Sequence, residues 1–370
     1  MDTPTTLLLA GKNETPIWGM SSAERIRRIA AARAPQADQS GVIVADTRFA
    51  FDPQWFGWIT QRPGTALTLG GRPVLVNTAP EQAQAVRDAI DAGSDAWAEG
   101  LAVTAYEDGI TIYNAALRKR ESPFLIELVP ANVRAIERAS YFGAYKGVTD
   151  ILTKYLWPEW ALVLTRIAAR IGMTPNMVTT IGAALCVWAT FLFWDGHYWA
   201  GMAAGLAFMV LDTVDGKLAR CTITSSWWGD IFDHGLDLVH PPFWWYAWGV
   251  GLAAHGLALD PPVFWTVMGV MVGGYVLQRF IEGCFIHVFR MHIHVWQKVD
   301  TDFRLITARR NPNMVILFVS MLFSRPDLGL LAVTAWTVLS LVFHFIRLLQ
   351  AIAARRRGAL TSWLSDGSAA

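Results

Sequence analysis

The chain has 370 residues, a formal net charge of +1, 53% hydrophobic residues and 16% charged residues. That charged share lies well below the roughly 25% of an ordinary soluble domain, which argues against a wholly water-solvated protein. There is also no global basic excess to bind nucleic acid by counterion release. Eighteen tryptophans favour a membrane protein, because Trp collects at membrane–water interfaces. The three cysteines, Cys186, Cys221 and Cys284, form no CxxC pair and no His/Cys cluster with zinc spacing, so they read as small apolar packing residues.

The N-terminus, MDTPTTLLLAGKNE, lacks the basic start and long apolar core of a signal peptide and is expected to stay in the cytosol. Thr5–Gly11 is a short apolar run ending in Gly. Residues 21–34 have helical spacing, with Ser21 as cap and Glu24 three residues on. Gly41–Asp46 reads as a buried strand. Residues 65–79 read as a hairpin through Gly70 and Gly71. A helix follows, with Pro80 in its first turn. This alternation predicts a small cytosolic α/β domain over residues 1–131 with a largely parallel sheet.

Residues 132–173 read as a linker with juxtamembrane helices. One long helix is expected from about Asn132 through Trp157. An amphipathic stretch follows, with Trp160, Leu164 and Ile167 on its apolar side and Arg166 and Arg170 one turn apart. Such a helix suits the membrane surface. Thr174–Asn176 breaks the chain before the apolar half. Six apolar runs of about the 20 residues needed to cross a bilayer are then expected. They cover Met177–Trp194, Trp199–Lys217, Asp230–Ala254, Pro262–His287, Asn313–Phe323 and Leu328–Ala351. The expected fold class is an α-helical membrane protein with six transmembrane helices and an amphipathic surface helix, preceded by the α/β domain. The membrane domain occupies 174–357 and a flexible tail 358–370. Lys217–Arg220, Arg290–Arg310 and Arg355–Arg357 are basic and fall on the side of the N-terminal domain, which places that side in the cytosol.

Carboxylates in this apolar half need a reason, since charge inside a bilayer is costly. Asp212 and Asp215 are three apart and Asp233 and Asp237 four apart, so each pair shares a helix face. The connection between the pairs lets two helices pack side by side and bring four carboxylates together. Divalent cations would relieve their repulsion, and an all-oxygen set suits Mg²⁺ or Mn²⁺. Gly216 and Gly229 leave room for a ligand beside the helices. Asp230 is expected to cap the third span.

Asp212-x2-Asp215-Gly216-x2-Ala219-Arg220-x8-Gly229-x3-Asp233-x3-Asp237 resembles the signature of the CDP-alcohol phosphotransferases, with every fixed position present. The resemblance covers about half the chain. It implies transfer of a substituted phosphate from a CDP-linked donor to an acceptor hydroxyl, with release of CMP. It further implies Asp212, Asp215, Asp233 and Asp237 as ligands of two Mg²⁺ or Mn²⁺ ions, and Asp237 as general base. Gly216, Ala219, Arg220 and Gly229, with Asn176, would serve the CDP moiety. A homodimer in a bacterial-type inner or plasma membrane is implied as well, with membrane lipids as its surroundings.

Other polar residues leave alternatives open. Arg279 and Glu282, three apart in the fourth span, are expected to pair; an acceptor-site role is the alternative. Lys298, Arg304, Arg309 and Arg310 either obey the positive-inside rule or clamp a phosphorylated acceptor such as an inositol phosphate. His240 and His255 read as structural. The order of domains is similar to bifunctional enzymes that make CDP-inositol and couple it to inositol phosphate. The N-terminal stretch keeps Gly11 and Lys12 but lacks the G-x-G-x-R run of those enzymes, so that domain is expected to have lost nucleotidyl transfer. Asp46 stands where a metal-binding Asp might sit. The donor's alcohol, diacylglycerol or a polyol, is not specified. A bifunctional enzyme is one alternative. A metal-ion transporter is another, although it has no need of Arg220, Gly216 and Gly229 beside its carboxylates. A scaffold without activity is the third.

Overall fold

The computed structural model describes residues 7–33 and 41–365. Residues 1–6, Ala34 and residues 366–370, which enter the expectations above, lie outside them. The chain divides into two compact units. The first comprises Met1–Tyr145, Leu164–Thr174 and Lys217–Ser225; the second comprises Lys146–Val163, Pro175–Gly216 and Ser226–Ala370.

The first unit begins with β1 (Leu7–Ala10), α1 (Ser22–Arg33), β2 (Val42–Asp46), β3 (Phe49–Phe51) and α2 (Pro53–Thr60). It continues with β4 (Thr65–Leu69), β5 (Arg72–Thr78), α3 (Pro80–Ala92) and β6 (Ala102–Ala105). Five of these strands form one sheet in the order β1-β2-β5-β4-β6. The sheet is mixed and not largely parallel as expected: β1–β2 and β4–β6 are parallel, while β2–β5 and β5–β4 are antiparallel. The cause is local. Gly70 and Gly71 both take positive φ, 55° and 75°, and close β4 onto β5 by a two-residue turn. Alternate residues of β2 face opposite sides. Ile43 and Ala45 meet Ile26, Ile29, Trp55 and Phe56 of α1 and α2, whereas Val42 and Val44 meet Ala83, Val86 and Ile90 of α3. The expected cap is present, with the Glu24 N–H donating to Ser21 Oγ at 3.2 Å.

Three short strands, β7 (Ile112–Asn114), β8 (Lys119–Glu121) and β9 (Leu125–Glu127), complete the unit; β9 pairs with β3 and β7 with β8. The expected long helix from Asn132 is instead broken into α4 (Val133–Gly143) and a five-residue α5 (Ile151–Tyr155), followed by α6 (Pro158–Arg170). Asp150 starts α5 by accepting from the Thr153 N–H at 3.0 Å, and Pro158 starts α6. Trp160, Val163, Leu164 and Ile167 of α6 are exposed, the apolar stripe anticipated for a helix at a membrane surface.

The second unit is helical: α7 (Pro175–Trp194), α8 (Tyr198–Thr222, to this unit as far as Gly216), α9 (Trp227–Gly251), α10 (Pro261–Phe289), α11 (Lys298–Arg304), α12 (Arg310–Leu322) and α13 (Pro326–Arg355). Helices stand at all six places where spans are expected. Three of them, α7, α10 and α13, are long and apolar enough to cross a membrane. The lines of carboxylates in α8 and α9 lower their apolar character, and the 13 residues of α12 fall short of the roughly 20 of a full crossing. The cap of α9 is Ser226, whose Oγ accepts from the Gly229 N–H at 3.1 Å; Asp230, expected in that role, lies in the first turn.

Helices α7 and α9 meet closely where Gly251 faces the end of α7. A Cβ built on Gly251 would stand 2.0 Å from the Phe193 carbonyl oxygen and 3.0 Å from the Gly196 nitrogen. Backbone atoms cannot move aside as a flexible side chain can. Gly251→Ala is therefore expected to cost about 1–3 kcal/mol through overpacking. A lower thermal midpoint of the purified protein in detergent checks this, and an unchanged midpoint contradicts it.

Candidate active site

Helices α8 and α9 bring three of the predicted carboxylates together. Asp212, Asp233 and Asp237 each offer an oxygen within 4.8 Å of the other two. The fourth, Asp215, is buried and turned to α7: Thr179 Oγ1 donates to Asp215 Oδ2 at 2.6 Å, and the Gly216 N–H donates to its Oδ1. The trio is graded in exposure. The Asp212 side chain is 17% exposed and that of Asp237 44%.

A cation from a distant helix lies against this trio. Arg310, first residue of α12, donates through Nη1 to Asp237 Oδ1 at 2.6 Å and through Nη2 to Asp212 Oδ2 at 2.8 Å. Its guanidinium lies over the Phe208 ring, 4.8 Å from the centroid. The sequence places Arg310 in a basic loop with Lys298, Arg304 and Arg309; the structure places it in the carboxylate cluster. Separation of 98 positions from Asp212 hides that pairing from any local pattern.

Pro241 and Pro242 lie inside α9, one turn past Asp237. Neither has an N–H, so the carbonyls of Asp237 and Leu238 lack their usual helical donors. The Tyr275 hydroxyl donates to the Leu238 carbonyl at 3.0 Å and replaces one of them. At the start of α9, Gly229 permits close approach: a Cβ there would stand 3.0 Å from Asn176 Oδ1 and 3.1 Å from Ser226 Oγ. Ala219 and Arg220 lie in the last turn of α8, where Arg220 Nε donates to the Ala144 carbonyl at 3.1 Å. Lys217, one turn earlier and read from sequence only as part of a basic segment, stands over the Tyr145 ring at 3.0 Å.

The remaining basic residues separate. Lys298 is exposed, while Arg304 and Arg309 join a partly buried polar group around Glu282. Glu282 accepts from Arg309 Nη2 at 2.5 Å and, as expected from sequence, pairs with Arg279 at 2.9 Å. His294 Nε2 lies 3.4 Å from Glu282 Oε1, and burial holds the His294 imidazole well below its ordinary range, hence neutral. Burial, with Arg309 beside it, pulls the Arg304 guanidinium down to about 9. Nε and Nη1 of Arg304, Nε of Arg309, Nε and Nη2 of Arg279 and both ring nitrogens of His344 are buried without a hydrogen-bond partner. Arg279 and Arg309 thus share one carboxylate, and Arg279, Arg304 and Arg309 keep donors in excess of the acceptors around them. Asp150 fixes the neighbouring loop. Its carboxyl is buried, but Arg304, the Thr153 N–H and Asn311 together hold it below the usual carboxylate range.

Residues 172–309 match the model of the family described as CDP-alcohol phosphatidyltransferase. Cholinephosphotransferase 1 of Gallus gallus is 31% identical over 127 residues, covering 31% of this chain and 36% of that protein. Phosphatidylinositol phosphate synthase of Mycobacteroides abscessus is 38% identical over 112 residues, covering 28% of this chain and 50% of that protein. The chain thus spans half or less of the length of these relatives. A crystal structure of Mycobacterium tuberculosis phosphatidylinositol phosphate synthase with CDP-DAG bound aligns over 51% of this chain and 92% of that one, with 18% identity and a TM-score of 0.41. A second structure of that enzyme is in complex with manganese and citrate.

Glu282 is the sole carboxylate shown pairing with Arg279 and Arg309 among the described residues. Glu282→Gln leaves those partly buried charges uncompensated, at a cost no greater than the about 3–5 kcal/mol of breaking a fully buried pair. The expected outcome is a large fall in the thermal midpoint; a fall no greater than that of an exposed Glu→Gln control contradicts it.

Proposed function

Residues 172–309 being a domain of the CDP-alcohol phosphatidyltransferase family, we propose that the chain is an integral-membrane CDP-alcohol phosphotransferase. It transfers a substituted phosphate from a CDP-linked donor to an acceptor hydroxyl and releases CMP. The observation that carries this reading is the convergence of Asp212, Asp233 and Asp237 on two adjacent helices, at the spacing of the signature. Their donor set is all oxygen, which fits Mg²⁺ or Mn²⁺ and not a soft metal. These three, with Asp215, would hold the ions, which would neutralise charge on the donor's diphosphate. Asp237, the more exposed of the two carboxylates paired with Arg310, takes the acceptor hydroxyl's proton. Gly216, Ala219, Arg220 and Gly229, with Asn176, serve the CDP moiety, and the close approach of the Asn176 side chain to Gly229 puts those two residues side by side.

The buried, unpartnered nitrogens of the partly exposed Arg279, Arg304 and Arg309 favour an anionic acceptor, phosphorylated or carboxylated, over a neutral one. Unpartnered buried donors are costly, and an anion with several oxygens would satisfy them. The N-terminal unit is read as having no nucleotidyl transfer. Asp46 is fully buried and bound by Arg48 Nη2 at 2.7 Å and Nε at 2.9 Å, and the Gly11 N–H is taken by Asp91. Six crossings, with the basic loops and the site on the cytosolic side, agree with the Lys and Arg distribution.

CMP release is the measurement that tests this. Purified protein with Mg²⁺ or Mn²⁺ receives CDP-diacylglycerol or CDP-inositol, each against inositol phosphate, glycerol phosphate, serine, inositol and lipid acceptors. One pair is expected to release CMP, and Asp237→Asn to lower that rate at least about 100-fold, the scale of general-base catalysis. Absence of both CMP release and CDP binding would overturn the reading in favour of an ion pathway.

A further inference from the structure

Arg310 stands out because its two terminal nitrogens engage two of the three converging carboxylates of the proposed metal centre. Nη1 takes an oxygen of Asp237 and Nη2 an oxygen of Asp212, at 2.6 and 2.8 Å. The contact is built, not casual. The Arg310 side chain is 11% exposed, and its remaining donor, Nε, reaches Asn311 Oδ1 at 2.9 Å. Asn311 Nδ2 in turn donates to Asp150 Oδ1 at 3.0 Å and to Thr153 Oγ1 at 3.2 Å. A fixed chain therefore runs from the start of α5 through Asn311 to the guanidinium, and it aims that group between α8 and α9. Neither Asn311 nor Asp150 belongs to the family signature.

We propose that Arg310 is a built-in counter-cation of the carboxylate cluster, which a divalent ion must displace from Asp212 and Asp237 in order to bind. The proposal rests on the reading of Asp212, Asp233 and Asp237 as a metal centre. The physical ground is that the guanidinium and a divalent ion need the same oxygens and repel each other at that distance. Arg310 brings one positive charge to three carboxylates, so an ion with two charges has a reason to replace it. The exchange makes metal affinity depend on how firmly the bridge is made. If the bridge is formed nine-tenths of the time, the apparent metal affinity is about tenfold weaker than that of the bare cluster.

Mn²⁺ binding to the purified full-length chain, followed by electron paramagnetic resonance without any CDP substrate, tests this directly. Arg310→Gln is expected to bind Mn²⁺ about tenfold more tightly than the natural chain. Arg310→Lys keeps the charge but cannot bridge both carboxylates, and is expected to fall between. Arg310→Gln should also lower the thermal midpoint without Mn²⁺, and the difference should shrink when Mn²⁺ saturates. Mn²⁺ affinity unchanged within about twofold in both variants, or weakened in them, would overturn the exchange while leaving the metal centre standing. Absence of Mn²⁺ binding in the natural chain and in both variants would overturn the exchange and the metal centre together.

Discussion

Carboxylates packed between apolar helices must be neutralised or hydrogen-bonded, and the second unit is organised by that requirement. Asp212, Asp233 and Asp237 crowd within 4.8 Å of one another, and Arg310 reaches two of them from another helix. Asp215 is answered separately by Thr179 of α7. Four helices, α7, α8, α9 and α12, are tied at one level by these contacts. Removing either partner of a buried charge pair leaves the other unsolvated, so the fold and the site share one set of interactions.

The arginines of the second unit divide by their anionic partners. Arg310 is bound to carboxylates of the signature, whereas Arg279 and Arg309 share Glu282. Adjacent residues, Arg309 and Arg310, thereby serve two different polar groups. Arg310 is answered by two carboxylates. The group around Glu282 keeps unpartnered donors on Arg279, Arg304 and Arg309. That asymmetry separates a carboxylate-rich place from one rich in unpartnered guanidinium donors, the division that the proposed transfer to an anionic acceptor would use.

The first unit shows the opposite condition at Asp46. Asp46 ends β2 beside Gly11, but Arg48 binds both of its oxygens and burial closes it from solvent. A carboxylate satisfied in this way has little left for a ligand. The mixed sheet around it follows from Gly70 and Gly71, whose positive φ angles turn β4 directly back on β5 where a crossover helix would have kept the strands parallel.

The sequence by itself determined the elements whose signals are local. Helical spacing, the Ser21 cap, the Gly-Gly hairpin, the helix at each expected span and the register of the Asp pairs are all set by residues within a few positions of one another. The Arg279–Glu282 pair belongs to the same class, being one turn of one helix. Tertiary structure alone decided the rest. Asp150, which starts α5, meets Asn311 across 161 positions. The placement of Arg310 among the carboxylates and of Arg309 on Glu282 depends on how α12 approaches α9 and α10. No periodicity encodes that approach; it is fixed only when the helices pack and each buried charge finds its counter-charge.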